Sequence, residues 1–421
     1  MPHRPPSPER PLAVYLGQDC TDSAVIRRIA SFEAAGLRVL GLTFRRRKFN
    51  AGFEPDWTNI DLGTTVDRNY LARIPRLLGA CWRILRARRR LRPAAFFYAR
   101  NIDQGLLALW ARRVAGSRAP VAYEVLDVQR IFTKRGLLPA AFRWMERRLL
   151  DRVQLLVVSS PAYVREYFEP VQRYRGEWAL LENKICGPQL RRYGPPADRP
   201  RRRRHPAVPP GDGRWVVGWF GTLRCPTSLH MLARVAAALP DRVRIELRGL
   251  PTETGLDYFL GVVDRHPNMD YRGEYFSPRD LEAIYGGIHL AWCFDFLDAG
   301  TNSRWLLPNR LYDAGYHGVP VLAAADTETG ARVREHKLGW AIEPPYEENL
   351  IRFLRDLTPE AYRERRDAVA GLPRGMFLDD DDTAAMVRRL LTPGAGQRTR
   401  PTGAAAARRD RRWLSSHESP S

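Results

Sequence analysis

No apolar run in this sequence approaches the 18 or more residues that a membrane-spanning helix needs, and residues 1–10 lack the apolar core of a signal peptide. A spanning or exported protein is not expected. Cysteine is sparse: Cys20, Cys81, Cys186, Cys225 and Cys293 are scattered, with no CxxC pair and no histidine at metal-ligand spacing. That excludes a disulfide scaffold and a zinc site of ordinary spacing, and suits reduced thiols in the cytoplasm. The first strand-to-helix loop holds Gly17 and no GxGxxG, so a dinucleotide cofactor is not expected either.

What is present is length and positive charge. At 421 residues and 44% apolar content the chain can bury more than one core. Its formal net charge of +21 permits nucleic acid, an acidic membrane or phosphorylated substrates as partners, with arginines clustered at 83–92, at 199–204 and in the tail. Nucleic acid is not expected, because the RRRR run at 201–204 has no interleaved aromatics and no nucleic-acid-binding motif nearby.

Residues 306–325, LLPNRLYDAGYHGVPVLAAA, organise the rest. Pro308 suits the start of a helix and Gly318 its left-handed end, and 319–323 is an apolar run of the kind buried on both faces of a parallel sheet. Asn302 precedes this helix, Asn309 and Arg310 open it, and Asp313 follows one turn later. Free amides with an arginine attract phosphate, and a carboxylate one turn on can accept sugar hydroxyls.

The N-terminal half reads as strand 12–17, polar turn 19–22, helix 23–35 and strand 37–44, with further strands at 94–98, 121–126, 155–159 and 178–181. Polar groups gather at strand ends. Asp19, Asp22, Glu124 and Asp127 are the carboxylates available as a base, although Asp22 equally suits a helix cap. Residues 70–92 read as an amphipathic helix with an apolar face of Leu71, Ile74, Leu78, Cys81 and Leu85. Its basic flank of Arg83, Arg86, Arg88, Arg89 and Arg90 surrounds Trp82. Such a helix suits either core packing or an anionic membrane surface.

The C-terminal half alternates strands at 216–220, 243–247, 269–273, 289–294 and 319–323 with helices, which predicts a second doubly wound sheet. Gly221 and Thr222 at a strand end, with Arg224 beside them, suit a phosphate. Arg248 ends the next strand.

Four stretches carry a specific resemblance: GWFGTLR at 218–224, ELRGLP at 246–251, YRGEY at 271–275 and LPNRLYDAGYHGVPVLA at 307–323. Through them the chain resembles GT-B glycosyltransferases of the family 4 type, and among these the enzymes of bacterial exopolysaccharide synthesis such as the succinoglycan pathway. GQDCTDSAV at 17–25, YEVLD at 123–127 and LLENK at 180–184 extend it more loosely. The resemblance implies two Rossmann-like α/β domains facing across a cleft. The expected organisation is a leader 1–10, an acceptor-side domain 11–190, a basic Pro-rich linker 191–213, a donor domain 214–372, a helix 373–392 crossing back to the first domain, and a tail 393–421.

It further implies a nucleoside-diphosphate sugar donor bound by Gly221, Thr222, Arg224, Arg248, Tyr275, Asn302, Asn309, Arg310 and Asp313. Asp313 matches the acid that accepts the ribose hydroxyls. The family's other acid falls at Trp305 and its lysine at Leu229, so Arg304 or Arg310 would take the lysine's place. Asp19, Asp22 or Asp127 would be the base of an inverting reaction, with no metal or other cofactor. The acceptor would be a saccharide, lipid-linked through a polyprenyl carrier, and the protein would sit on the inner face of the plasma membrane. An epimerase of the same fold and a non-enzymatic basic scaffold are the rival readings.

Overall fold

Apolar side chains occupy successive positions of β1 (Leu12–Gly17), so this strand is buried on both faces and forms the centre of a parallel sheet. The structure, a computed structural model, describes residues 10–46, 53–65, 70–194 and 213–392. Within them, β2 (Arg38–Arg45), β3 (Thr58–Thr64), β4 (Ala94–Arg100), β5 (Val121–Val125), β6 (Leu155–Val158) and β7 (Trp178–Leu180) join β1 in the order β3-β2-β1-β4-β5-β6-β7. Every pairing is parallel. The chain steps outward from β1 to β3 and then returns to the other side at β4. The crevice between the ends of β1 and β4 is therefore a topological switch point, where such sheets bind ligands.

After the short β8 (Ile185–Cys186), a second parallel sheet follows: β9 (Trp215–Leu223), β10 (Val243–Pro251), β11 (Met269–Tyr271), β12 (Leu290–Trp292), β13 (Val321–Ala324) and β14 (Gly339–Ile342). Their order is β11-β10-β9-β12-β13-β14, which puts the second switch point between β9 and β12. Helix Asn309–Tyr316 begins after Pro308 and ends before Gly318, whose φ of 72° is the left-handed conformation that glycine adopts without strain.

The two lobes share structure. β15 (Leu378–Asp379) pairs with β8, and the helix Asp382–Leu391 buries Met386, Val387 and Leu390 against the face of the first sheet that carries Tyr15, Phe96 and Tyr98. Each such side chain contributes roughly 1.5–3 kcal/mol on leaving water. From the other side, Leu306 of the second lobe is buried among Val128, Tyr163 and Tyr167 of the first.

Two elements differ from expectation. β3 has the sequence TNIDLGT, without regular apolar alternation, because an edge strand has a partner on one side alone. The basic stretch is two helices, Tyr70–Arg86 and Arg88–Leu91. Its buried stripe is Leu77, Ala80, Ile84, Ala87 and Leu91, one position away from the expected one. Leu78 and Leu85 instead face solvent with Trp82, at 66%, 39% and 57% exposure. The buried stripe stays apolar through Ala87 and Leu91, where the expected one meets Arg88 and Arg92. The side chains of Leu71 and Ile74 lie outside the described residues, as do the arginine run 201–204 and the tail from 393.

Candidate active site

Both ends of the second switch point contribute charge. β9 ends through Gly221, whose φ is 113°, and β10 passes it at Gly249, where an added Cβ would stand 1.8 Å from the Gly221 carbonyl oxygen. Only glycine at 249 lets the strands pair while the loop turns. Arg224 follows at the start of the helical turn and donates through Nη2 to Asp295 Oδ2 at 3.1 Å and through Nε at 3.4 Å. Asp295 lies just past β12 and also accepts from Ser303 Oγ at 2.7 Å and Leu297 N at 3.0 Å. Burial alone would raise its pKa, but the Arg224 guanidinium and the Ser303 hydroxyl hold it below the ordinary carboxylate range. The carboxylate in turn fixes the guanidinium in one orientation.

Arg310 donates to the Phe294 carbonyl at 3.3 Å, and its Nε is buried with no hydrogen-bond partner among the described residues. It thereby adjoins the same strand end as Asp295. One turn on, Asp313 is pushed up to about 7, chiefly by burial and against the opposing pull of Arg27 and Arg310. Tyr275 completes this wall, its hydroxyl 3.9 Å from where a Cβ of Gly221 would stand. Arg224, Arg310, Asp313 and Tyr275 are thus parts of one cleft surface.

The first lobe closes the other side. Asn302 accepts from Val128 N through Oδ1 and donates through Nδ2 to Asp127 Oδ1, both at 3.0 Å. Asn302, expected on the donor, is therefore a clip between lobes. Asp127 is solvent-exposed, yet protein crowds its carboxyl: burial raises its pKa, Arg224 and Asn302 oppose the rise, and Asp295 and Asp298 add to it. A raised carboxyl at the mouth of a cleft is a candidate base.

The remaining candidates stand elsewhere. Asp19 folds onto its own loop, accepting from Thr21 N at 3.0 Å and Thr21 Oγ1 at 2.9 Å, and Asp22 caps the helix Ser23–Ala34 by accepting from Ala24 N at 2.7 Å. Glu124 is fully buried. Burial would raise its pKa, but Arg100 and then Arg28 bring it down to about 2, too weak a base for catalysis at neutral pH. Arg248 pairs with Glu246 of its own strand at 2.7 Å, outside the Arg224 network. Thr222 and Asn309 are exposed on the donor lobe. Arg304 turns to Asp326, so of the two arginines weighed against the missing lysine, Arg310 is the one at the site.

No family model matches the chain. It is 36% identical over 389 residues to the succinoglycan biosynthesis protein ExoL of Rhizobium meliloti (strain 1021), across 90% of this chain and 93% of that protein. The chain belongs to the ExoL family. Its fold is that of GT-B glycosyltransferases. Sucrose-phosphate synthase from Thermosynechococcus elongatus superposes with a TM-score of 0.65 at 15% identity, covering 90% of this chain and 98% of that one. HepE from Anabaena, in complex with UDP and glucose, gives 0.64 at 14%, covering 91% and 99%. The resemblance to exopolysaccharide glycosyltransferases seen in the four motifs is thereby matched over most of the chain.

Two residues of this ExoL family member escaped the sequence. Asp295 closes a short strand, the signal already used for Asp127, but the acid sits in CFDF and reads as part of an aromatic core run. Arg27 lies in a helix beside another arginine, Arg28, with no sequence signal of its own, and only the approach of the other lobe singles it out.

Proposed function

We propose that this ExoL family glycosyltransferase transfers a sugar from a nucleoside-diphosphate sugar to a saccharide acceptor carried on a polyprenyl lipid, in exopolysaccharide assembly. UDP is the carrier favoured, by the fold shared with HepE bound to UDP and glucose. The observation that carries the reading is the convergence of Arg224, fixed by Asp295, and Arg310 on the cleft that Asp313 and Asp127 border. Two guanidinium forks would stabilise the negative charge that develops on a departing diphosphate without a metal ion. Asp313 would accept the ribose hydroxyls, and Asp127 would take the acceptor's proton in an inverting transfer.

In assays of UDP formation, release is expected only when donor and saccharide acceptor are both present. The donor KM should rise as pH falls through about 7, where Asp313 gains the proton that removes its anionic acceptor oxygens. Asp313→Asn should flatten that dependence. Turnover of the donor without an acceptor would favour an epimerase, and failure to bind any nucleotide sugar would leave a non-enzymatic scaffold.

We further propose that the protein docks on the anionic cytoplasmic face of the plasma membrane. Trp82, Leu78 and Leu85 project beside Trp110 and Leu106 of the helix Asn101–Val114, and Trp110 Nε1 donates to the Cys81 carbonyl at 3.0 Å. Arg86 lies 4.6 Å from the Trp82 ring centre, and Arg83, Arg88, Arg89 and Arg90 are exposed around it. An aromatic and aliphatic patch rimmed by arginine suits an acidic bilayer surface, at about 1 kcal/mol for each basic residue near it. Replacing Arg86, Arg88, Arg89 and Arg90 with Gln should abolish sedimentation with phosphatidylglycerol vesicles while leaving UDP binding intact. Undiminished sedimentation would refute the role.

A further inference from the structure

Two helices from opposite lobes meet over β8. The helix Ser23–Ala34, which carries Arg27, and the helix Asn309–Tyr316, which carries Asp313, both pack against this two-residue strand, and Cys186 Sγ lies 3.6 Å from the Arg27 carbonyl oxygen. Arg27 lines a cavity there with Arg28, Arg100, Asn183 and Lys184 and with the carboxylates Glu182 and Asp379. The neighbouring cations are matched: Arg28 and Arg100 hold Glu124, and Lys184 holds Asp382 at 2.7 Å. Arg27 is different. Among the described residues its guanidinium makes no ion pair and no hydrogen bond, although it stands among the charges that act most on Asp313.

Arg27 is half-buried, where a cation without a bonded partner can take a ligand of opposite charge. Burial works against the charge of Arg27, with Asp313 the largest opposing influence. Across the cleft, Arg310 keeps a hydrogen bond to the Phe294 carbonyl, while its buried Nε has no partner among the described residues. Arg27 and Arg310 both act on Asp313 and on Tyr275, so the two guanidinium groups border these side chains from different lobes. Two planar forks so placed suit an anion with several oxygens, which a diphosphate offers and a single carboxylate does not.

We propose that Arg27 is a diphosphate ligand supplied by the N-terminal lobe, gripping the donor's phosphates with Arg224 and Arg310 and so coupling donor binding to closure of the cleft. The proposal rests on the donor site described above. Arg27 lies outside the motifs that carry the glycosyltransferase resemblance, just past GQDCTDSAV at 17–25.

The test is calorimetric titration of the full chain with UDP and with uridine, together with melting of the ligand-free protein. Arg27→Ala is expected to weaken UDP binding at least about tenfold more than uridine binding, which falls only because Asp313 loses a neighbouring cation, and to keep the melting temperature. Arg27→Lys should recover part of the lost affinity. Equal UDP affinity in wild type and Arg27→Ala would overturn the inference. So would a matched loss for UDP and uridine with a lower melting temperature, which marks a structural residue. Wild-type protein that binds no UDP would instead overturn the donor site itself.

Discussion

Arg224→Ala is expected to lower kcat/KM for sugar transfer by about 10²–10³-fold, the usual loss when a preorganised donor to the developing charge is removed. The side chain is held for that task from behind: Asp295 receives both of its inward nitrogens, and Ser303 and the Leu297 amide hold Asp295. Arg224→Lys should recover only a fraction, because an ammonium keeps the charge but cannot span Asp295 and a phosphate with one planar fork. Stability should change less than rate, since Asp295 keeps two other donors. A rate of UDP formation within threefold of wild type would remove Arg224 from the mechanism.

Glu124→Ala is expected to destabilise the fold by about 3–5 kcal/mol, a large part of the total for a domain, because it strands two buried guanidinium groups. Glu124 Oε1 receives Arg28 Nε at 3.1 Å and Nη2 at 2.8 Å, while Oε2 receives Arg100 Nε at 2.9 Å. Arg28 also reaches Thr383 Oγ1 at 2.9 Å, so the network ties the last helix to the first sheet. Urea unfolding at pH 7 measures the effect. The folded pKa of Glu124, about 2, lies below its unfolded value, so its contribution is present above about pH 4.5 and disappears as pH falls towards 2. Wild type should lose more stability than Glu124→Gln across that interval. An unchanged urea midpoint for Glu124→Ala would show that the arginines find other partners.

Much of the donor lobe was legible because its signals are local. Pro308 and Gly318 mark the two ends of one helix, and Gly221 near the end of β9 places Arg224 by geometry that spans only a few residues. What could not be read depends on the other lobe. Asn302 looked like a donor ligand until the loop after β5 supplied Val128 and Asp127 as its partners. Arg27 looked like any basic helix residue, and only the approach of the Asn309–Tyr316 helix distinguishes it. The stripe of Leu78, Cys81 and Leu85 and that of Leu77, Ala80 and Ile84 are about equally apolar, so periodicity finds both. The latter faces the sheet and continues through Ala87 and Leu91, where the former meets Arg88 and Arg92. Asp22 was ambiguous for a plainer reason: the same short carboxylate serves as cap or base, and the structure shows it in the first use, accepting from Ala24 N.

The interleaving of the two lobes bears on how the polypeptide can be divided. A fragment stopping at residue 372 would leave Tyr15, Phe96 and Tyr98 without the cover of Met386, Val387 and Leu390, and would take from β8 the one strand that pairs with it among the described residues, β15. Neither half is therefore a self-sufficient folding unit, and a split made between them would present bare aromatic surface on one piece and an orphan helix on the other.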